Sequence, residues 1–260
     1  LVTTGPGVTN VMTPVAGAWI DSVPMIVVSG QVKRADLMSD SGVRQMGPQE
    51  VDTESLVDPI TKYSVTVMDA SKIRYHLERA LFEATTGRPG PVWIDVPLDI
   101  QGAEVDPASL KGFDRPADTT TVSPDVIESL VAAVGEAERP LLFAGHGVRL
   151  AGVADEFQAL VEKLGIPVVA TWNAMDLLPW DHPLYVGKPG SVAMRGPNFA
   201  VQNCDLLIGL GTRLDNVVTA FNPKGFGRVA KKIIIDVDPA ELKKNEDAID
   251  LAICADLKAL

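Results

Sequence analysis

The chain is poor in cysteine and in basic residues. Only two of its 260 residues are cysteine, Cys204 and Cys254, and they do not form a Cys-x-x-Cys pair. This spacing predicts neither a zinc site nor a disulfide framework, so we expect both thiols to be buried and reduced, as in a cytoplasmic protein. Lys and Arg number 23 against 34 Asp and Glu, which gives a net charge of -11. Because phosphate recognition needs clustered Lys and Arg, this balance argues against a nucleic-acid partner.

Long apolar runs are also missing. No stretch reaches the roughly 20 apolar residues that a membrane helix requires, and the chain does not begin with the pattern of a signal peptide. We therefore expect no membrane partner. The chain begins with Leu rather than Met, and residues 1–2 resemble the end of a buried strand, so we expect it to be part of a longer protein.

Short β-branched runs are the most abundant pattern. They are almost continuously apolar, which is typical of parallel strands buried on both faces. Six such runs occur at residues 24–30, 90–97, 139–145, 166–171, 204–211 and 231–238. Helical patterns lie between them at residues 71–87, 124–138 and 152–165, with Ser71 and Ser123 as predicted N-caps and Gly165 as a predicted C-terminus. The alternation predicts an α/β fold with right-handed crossovers.

One stretch interrupts this alternation. Residues 99–124 are rich in Pro, Asp, Thr and Gly and have no periodicity, which is typical of a connection between domains. We therefore predict a first domain at residues 1–100, a linker at 101–122 and a second domain at 123–260 with about five strands.

A strand-to-helix turn, Gly5-Pro6-Gly7, is the first candidate site. The free backbone N–H groups at the start of a helix suit a polar ring or an anion, and Asn10 falls in the first turn of this helix. A purely structural turn is the alternative interpretation of this short motif. A Gly-rich loop at residues 42–52 follows and contains Gln49 beside Glu50.

Several further motifs follow in a fixed order. They are DSVPMIVVSGQV at 21–32, GRPGPVWIDVPLD at 87–99, AGHGV at 144–148, the run at 186–216 and IIIDVDPAELKKN at 233–245. With the opening turn, this order resembles thiamine-diphosphate enzymes of the acetolactate synthase and 2-oxo-acid decarboxylase superfamily. The resemblance covers essentially the whole chain. It implies two parallel-sheet domains, a partial pyrimidine-binding domain followed by a Rossmann-like central domain.

The resemblance implies roles for matching residues of the first domain. Gly5, Pro6, Gly7 and Asn10 would line the pocket of the aminopyrimidine ring. Gln49 would be the catalytic residue that faces the reactive thiazolium centre across a subunit interface; its alternative role is to cap a neighbouring helix.

Arg88 carries a further implied role. It would lie toward the central domain, where flavin-containing members use the matching arginine to hold FAD. A domain-interface ion pair is its alternative role.

In the second domain, glycines fall at predicted strand ends, where a doubly wound sheet presents ligand pockets. The glycines are Gly145, Gly147, Gly187, Gly190, Gly209 and Gly211. Arg213 is placed to pair with a pyrophosphate, Asp236 to accept a bond from a ribose hydroxyl, and His146 to contact a passing nucleotide. These positions resemble those that hold FAD in acetolactate synthases. The alternative is that the glycines only permit tight turns and that no nucleotide binds.

The chain departs from the acetolactate synthase pattern at three places. Pro48 stands where synthases usually carry a Phe before the Gln-Glu pair, GKPGS occupies 187–191 in place of a Gly-Met-His-Gly run, and Asn216-Val217 replace an acidic and basic pair. These departures put acetolactate formation in doubt, and Pro48 favours a flavin-free decarboxylase or lyase relative as the alternative.

The resemblance also implies cofactors and partners. They are thiamine diphosphate with Mg²⁺, a 2-oxo acid of the pyruvate type, and a homodimer or homotetramer, with FAD as a further possible cofactor. The Glu that activates the cofactor would precede Leu1, and the 260 residues contain no Gly-Asp-Gly signature for Mg²⁺. We therefore expect no metal ligands here and no turnover by these residues alone. A nucleotide-binding or structural module without catalysis is the competing class; an NAD-dependent dehydrogenase is disfavoured because no G-x-G-x-x-G opens a βαβ unit.

Overall fold

A computed structural model describes residues 1–117 and 121–260. The chain forms two compact units, Leu1–Ala117 (unit 1) and Asp118–Leu260 (unit 2). Each unit contains one sheet in which all the paired strands are parallel, so the predicted α/β class with two parallel sheets is confirmed.

The described part of unit 1 alternates helices and strands along the chain. The elements are α1 (Pro6–Asp21), β1 (Met25–Gln31), α2 (Thr53–Val57), β2 (Tyr63–Thr66), α3 (Ile73–Thr85), β3 (Pro91–Pro97) and α4 (Leu98–Gln101). The strand order is β1-β3-β2. The central strand β3 is buried along almost its whole length, which explains its continuous apolar sequence.

The two faces of this sheet are covered by different helices. One apolar cluster joins α1 and α2 to the sheet through Val8, Val57 and Trp93, and the other joins α3 through Ala80 and Ile94. The clusters hold the carboxyl ends of β1 and β3 side by side, with Gln31 in register with Pro97.

The first residues form less structure than the sequence predicts. Val2 makes a single parallel bridge with Ser29, and Leu1 is fully exposed, so the expected end of a buried strand is wrong at Leu1. The bridge nevertheless continues the sheet beyond β1, because Val2 donates to the carbonyl of Val28 and accepts from Gly30, each at 3.0 Å. The turn that follows Val2 therefore lies at the carboxyl edge of the sheet.

The described part of unit 2 is a larger doubly wound sheet. Its elements are α5 (Pro124–Glu136), β4 (Pro140–Ala144), α6 (Gly147–Leu150), α7 (Ala154–Leu164), β5 (Val168–Ala170), β6 (Tyr185–Gly187), α8 (Arg195–Asn203), β7 (Leu206–Leu210), β8 (Lys231–Asp236), α9 (Pro239–Lys244) and β9 (Leu251–Cys254). The order β6-β5-β4-β7-β8-β9 reverses direction between β4 and β7. Such a switch point leaves a crevice outside the carboxyl ends of the two strands.

Two predicted helix ends have different outcomes. Helix α3 begins at Ile73, after a 3-10 turn, and the carboxylate of Asp69 accepts from the backbone N–H and the hydroxyl of Ser71. The prediction of Ser71 as the N-cap is therefore wrong, because an aspartate two residues earlier caps the preceding turn. Gly165 ends α7 in the left-handed conformation, with φ of 65°, as predicted.

Part of the predicted linker packs onto unit 1. The carboxylate of Glu78 on α3 accepts from the backbone N–H of Phe113 at 2.8 Å, and the ring of Phe113 lies edge-on to Tyr75. Residues 101–117 thus belong to the first compact unit. Residues 118–120 of the predicted linker lie outside the described residues.

The two cysteines differ in exposure. Cys204 is buried, and burial raises the pKa of its thiol to about 11. Cys254 is exposed, so the expectation that both thiols are buried is wrong for this residue. It ends β9, the last strand in the sheet order.

Among the described residues, no helix is long and apolar enough to cross a bilayer.

Candidate functional site

The turn at Gly5 is shaped by close contact with the loop that carries Gln49. Gly5 is the N-cap of α1 with φ of 60°, and Pro6 occupies the first helical position. A Cβ on Gly5 would overlap the backbone carbonyl oxygen of Gln49. A Cβ on Gly7 would lie 3.0 Å from the methyl carbon of Thr3. The structure therefore brings Gly5 and Gln49 together, and glycine at position 5 is required by both conformation and space.

The side chain of Gln49 is presented to solvent. Its backbone adopts the left-handed region, with φ of 61°, and the residue is exposed. Within the described ranges its carboxamide makes no hydrogen bond, so it does not cap a neighbouring helix there. Pro48 beside it is also exposed. The backbone of Gln49 is thus held against Gly5 while its polar group remains available to a ligand.

Glu50 folds this loop around a carboxylate. The side chain is 5% exposed and accepts three backbone N–H groups, those of Met38, Met46 and Gly47, at 2.5 to 2.9 Å. Burial by itself raises the pKa of Glu50, but the three hydrogen bonds outweigh burial and hold the pKa below its usual value. The ionised form is therefore favoured, and the carboxylate connects Met38 with the segment at Met46 and Gly47.

A buried polar network lies beside the Gly5 turn at the carboxyl ends of β1 and β3. Asp95 is 1% exposed and accepts from the hydroxyl of Ser29, which in turn accepts from the indole N–H of Trp93 at 2.7 Å. The other oxygen of Asp95 accepts from the carboxamide of Gln31 at 2.9 Å. Burial raises the pKa of Asp95, although hydrogen bonds from Ser29, Gln31 and Thr53 act in the opposite direction.

Two other predicted residues of unit 1 lie apart from this contact. Asn10 is exposed one helical turn beyond Pro6. Arg88 donates to the hydroxyl of Ser22 at 2.8 Å, and Ser22 is the C-cap of α1. Since α1 has 16 residues, which corresponds to about 24 Å, Arg88 lies at the opposite edge of the sheet from Gly5. It does not join the Gly5 and Gln49 site.

In unit 2, three predicted glycines meet at the switch point and pack against each other. Gly145 donates to the carbonyl of Leu210 at 2.9 Å, and Gly147 donates to that of Gly211 at 3.1 Å. A Cβ on Gly145 would overlap the carbonyl of Gly211, and one on Gly147 would lie 2.6 Å from the Cα of Gly211. The backbone of the facing turn therefore fills the space that these glycines leave, and their ligand-binding role stays a prediction.

The glycines near β6 and in β7 are also covered by protein atoms. A Cβ on Gly187 would lie 2.9 Å from the ring of Pro197, and one on Gly190 would lie 2.9 Å from the carbonyl of Val217. Gly209 lies in β7, where the side chain of Ile234 on β8 occupies the equivalent space.

Four polar side chains lie at the carboxyl ends of β4, β7 and β8. The Nδ1 of His146 lies 3.0 Å from the carbonyl of Asn173; since a carbonyl only accepts, Nδ1 is the donor of this hydrogen bond. Asp236 accepts from the backbone N–H of Asp238 at 2.9 Å and lines a narrow crevice with Arg213. Among the described side chains, the hydroxyl of Thr212 in this crevice is the buried polar group that lacks a hydrogen-bond partner.

The sequence did not predict the residues that hold the first site together. Glu50 was identified only as the neighbour of Gln49, Gln31 lies only within the motif at 21–32, and Asp95 lies only within the predicted strand at 90–97. A polar residue at the end of an apolar strand run was the available signal, because burial there requires a partner. Which partner it finds depends on strands that are far apart in the chain.

Two family models match the chain. Residues 1–56 match the model described as thiamine pyrophosphate enzyme, N-terminal TPP binding domain, and residues 127–260 match thiamine pyrophosphate enzyme, central domain. The second match alone covers about half of the chain.

Acetolactate synthases are among the similar curated proteins. The chain is 39% identical to the acetolactate synthase large subunit of Corynebacterium glutamicum over 94% of its length and 38% of that protein. It is 39% identical to a probable acetolactate synthase large subunit of Methanocaldococcus jannaschii over 98% of its length and 43% of that protein. For acetolactate synthase 1, chloroplastic, of Zea mays the identity is 36% over 99% and 40%. The chain thus spans about two fifths of the length of these relatives.

Proposed function

This chain belongs to the thiamine pyrophosphate enzyme family, and on that basis we propose that it serves a carboligase that acts on a 2-oxo acid of the pyruvate type. One observation carries the proposal. The glycine turn of the N-terminal TPP binding domain packs on the backbone of Gln49 and leaves the carboxamide of Gln49 exposed beside it.

The residues at this turn fit one wall of a pocket for a planar polar ring. Pro6 and Gly7 offer a surface without long side chains, and the exposed Asn10 and Gln49 add amide donors and acceptors, while the buried Gly5 lets the turn approach the backbone of Gln49. When bound, thiamine diphosphate supplies the nucleophilic carbon that attacks the carbonyl of a 2-oxo acid. Gln49 would orient the substrate by hydrogen bonds from its carboxamide.

In this proposal, residues outside these 260 bind the diphosphate and its metal ion. In the described part of the chain no three His, Cys, Asp or Glu side chains cluster as a metal site requires. We propose that Mg²⁺ accompanies the diphosphate in the whole protein, and that a polypeptide of these 260 residues alone does not release CO2 from pyruvate.

For FAD, the proposal rests on polar groups of unit 2 and not on its glycines. The glycines of unit 2 leave no open cradle, since protein atoms occupy the space beside Gly145, Gly147 and Gly187. Arg213, Asp236 and the unpaired hydroxyl of Thr212 are the groups that would face a nucleotide. Flavin absorbance of the purified protein tests this point, and we derive no chemical step from a flavin.

The proposal includes a homodimer or homotetramer in the cytoplasm. It rests on the resemblance, in which Gln49 reaches the cofactor of another subunit. Sedimentation of the whole protein measures the assembly, and a monomer that retains activity would contradict it.

The central experiment uses the whole protein with thiamine diphosphate, Mg²⁺ and pyruvate, and measures CO2 and acetolactate. We expect cofactor binding by calorimetry and both products. Gln49→Ala should lower kcat/KM by about tenfold or more, because a positioning contact is lost. Gln45→Ala is the matched control, since Gln45 is exposed in the same loop. Absence of cofactor binding would contradict the proposal and favour a binding or structural module.

A second candidate function is a decarboxylase or lyase without flavin. Pro48 favours it, because a proline beside Gln49 replaces the aromatic ring that synthases usually have in this position. Release of CO2 without acetolactate in the same experiment would support this candidate.

A further inference from the structure

We propose that Gln31 is a positioning residue that fixes the Gly5 turn and the Gln49 loop relative to each other. This inference rests on the proposed function for its consequence in binding. Its structural basis is independent of any cofactor.

Gln31 lies at the carboxyl end of β1, and its buried carboxamide forms hydrogen bonds with several segments of unit 1. The residue is 6% exposed. Its Oε1 accepts from the hydroxyl of Thr4 and from the backbone N–H of Val32, each at 2.9 Å. Its Nε2 donates to Asp95 at 2.9 Å and to the carbonyl of Val51 at 3.1 Å. Both lone pairs and both N–H groups of the amide are therefore used.

Two of these partners flank the candidate site in the chain. Thr4 immediately precedes Gly5, and Val51 follows Gln49 by two residues. The two segments are 47 positions apart at Thr4 and Val51, so one side chain ties together parts of the chain that no local turn connects. The tie acts where Gly5 and the carbonyl of Gln49 approach most closely.

Asp95 fixes the direction of the amide. Its carboxylate accepts from Nε2, and a flipped amide would place Oε1 against a carboxylate oxygen. Asp95 is itself held by Ser29, whose hydroxyl is held by Trp93. The donor side of Gln31 is thus aimed at Val51 and the acceptor side at Thr4.

The test combines hydrogen exchange without cofactor and thiamine diphosphate affinity, both in the whole protein. For Gln31→Met, which keeps the length but removes the polar atoms, we expect exchange at residues 47–52 to rise by about fivefold to tenfold, the factor for one ordinary hydrogen bond. We expect cofactor affinity to fall by a similar factor. Gln101→Met is the control, because Gln101 is exposed in the same unit and, among the described residues, donates to the carbonyl of Val96 alone.

A second pair of variants changes a single hydrogen bond, so that the test does not depend on whether Gln31→Met folds. Thr4→Val removes the hydroxyl that Gln31 accepts, and Thr4→Ser keeps it. We expect Thr4→Val to weaken cofactor binding by about threefold to tenfold and Thr4→Ser to restore it, since one hydrogen bond is at stake.

The outcomes separate the two proposals. Loop exchange that rises in Gln31→Met while wild type binds no cofactor would support the positioning role and contradict the proposed function. Exchange that rises equally in α3 and in the loop would show a merely structural residue. Unchanged loop exchange in Gln31→Met, or equal affinity of Thr4→Val and Thr4→Ser, would overturn the inference.

Discussion

Both units place glycine turns at the carboxyl ends of parallel strands, but the turns pack against different partners. In unit 1, Gly5 meets the backbone of Gln49, whose side chain remains exposed. In unit 2, Gly145 and Gly147 meet the backbone of Gly211. The first contact presents a functional group beside the turn, whereas the second joins two backbones.

The difference shows what a glycine at a strand end reports. It reports that another chain segment or a ligand approaches the backbone closely, and it does not distinguish the two. In unit 1 the distinction comes from the polar groups around the turn, Glu50 and Gln31, which fix a loop rather than fill a core.

The largest effect is expected at the switch point of unit 2. Gly211 has φ of 57°, and a Cβ there would lie 2.6 Å from the Cα of Gly147. Gly211→Ala should lower the free energy of unfolding by about 3 kcal/mol, because strain and overpacking add. Gly135→Ala is the control, since nothing lies within 4 Å and the site is helical; it should stabilise by about 0.5 to 1 kcal/mol. Calorimetry measures both changes. An unchanged unfolding transition for Gly211→Ala would contradict the structural role of the glycine contact in unit 2.

The next effect concerns the Gly5 turn. Gly5→Ala should cost about 2 kcal/mol, since φ is positive and the Cβ overlaps the carbonyl of Gln49. It should also weaken thiamine diphosphate binding, which Gly211→Ala should do only by unfolding. Gly17→Ala in the same helix, where nothing lies within 4 Å, is the matched control. Full cofactor affinity in a folded Gly5→Ala protein would contradict the site.

Glu50 gives unit 1 a dependence on pH. Its pKa is lower in the folded chain, so its stabilisation is present above the usual value of 4.5 and is lost as pH falls toward the folded pKa. Glu50→Gln should cost about 2 kcal/mol at neutral pH, because hydrogen bonds to a charged group are lost, and should cost less in acid.

The control for this experiment is Glu54→Gln. The carboxylate of Glu54 accepts one backbone N–H, that of Thr66, at the surface. Urea unfolding at several pH values measures the dependence, and an equal loss in Glu50→Gln at every pH would show that ionisation of Glu50 is not involved. Asp95 has the opposite sign: its raised pKa makes its burial more costly as pH rises above the usual value.

The smallest effect is a difference in reactivity between the two cysteine thiols. Iodoacetamide should modify the exposed Cys254 and spare Cys204, whose pKa burial raises to about 11. Mass spectrometry of the folded protein should show one added group, and none after Cys254→Ser. Modification of Cys204 at a comparable rate would show that the packing around it opens.

Local pattern predicted most of the fold. All six predicted strand runs contain observed strands, α5 begins directly after Ser123, and α7 ends directly before Gly165, as expected. The short strands β2, β6 and β9 were not predicted as strands, since runs of three or four residues carry too little periodicity. The start of α3 was predicted two residues too early, because Asp69 caps a separate 3-10 turn that precedes the helix.

The candidate site was predicted in part. Gly5 and Gln49 were identified through motifs, and the structure brings them together. The resemblance implies a place toward the central domain for Arg88, and that role stays a prediction. Glu50, Gln31 and Asp95 were missed, because the sequence around a polar residue does not reveal its distant partners.

By itself, the sequence determined the α/β class, most strands and the family, because alternating apolar runs and ordered motifs are local properties of the chain. The tertiary structure alone decided that Gln31 meets Asp95, 64 positions away, and that Gly5 meets Gln49. It also decided that Cys254 is exposed, since β9 falls last in the strand order. These contacts follow from which strands lie side by side, and that arrangement is set by burial over the whole sheet.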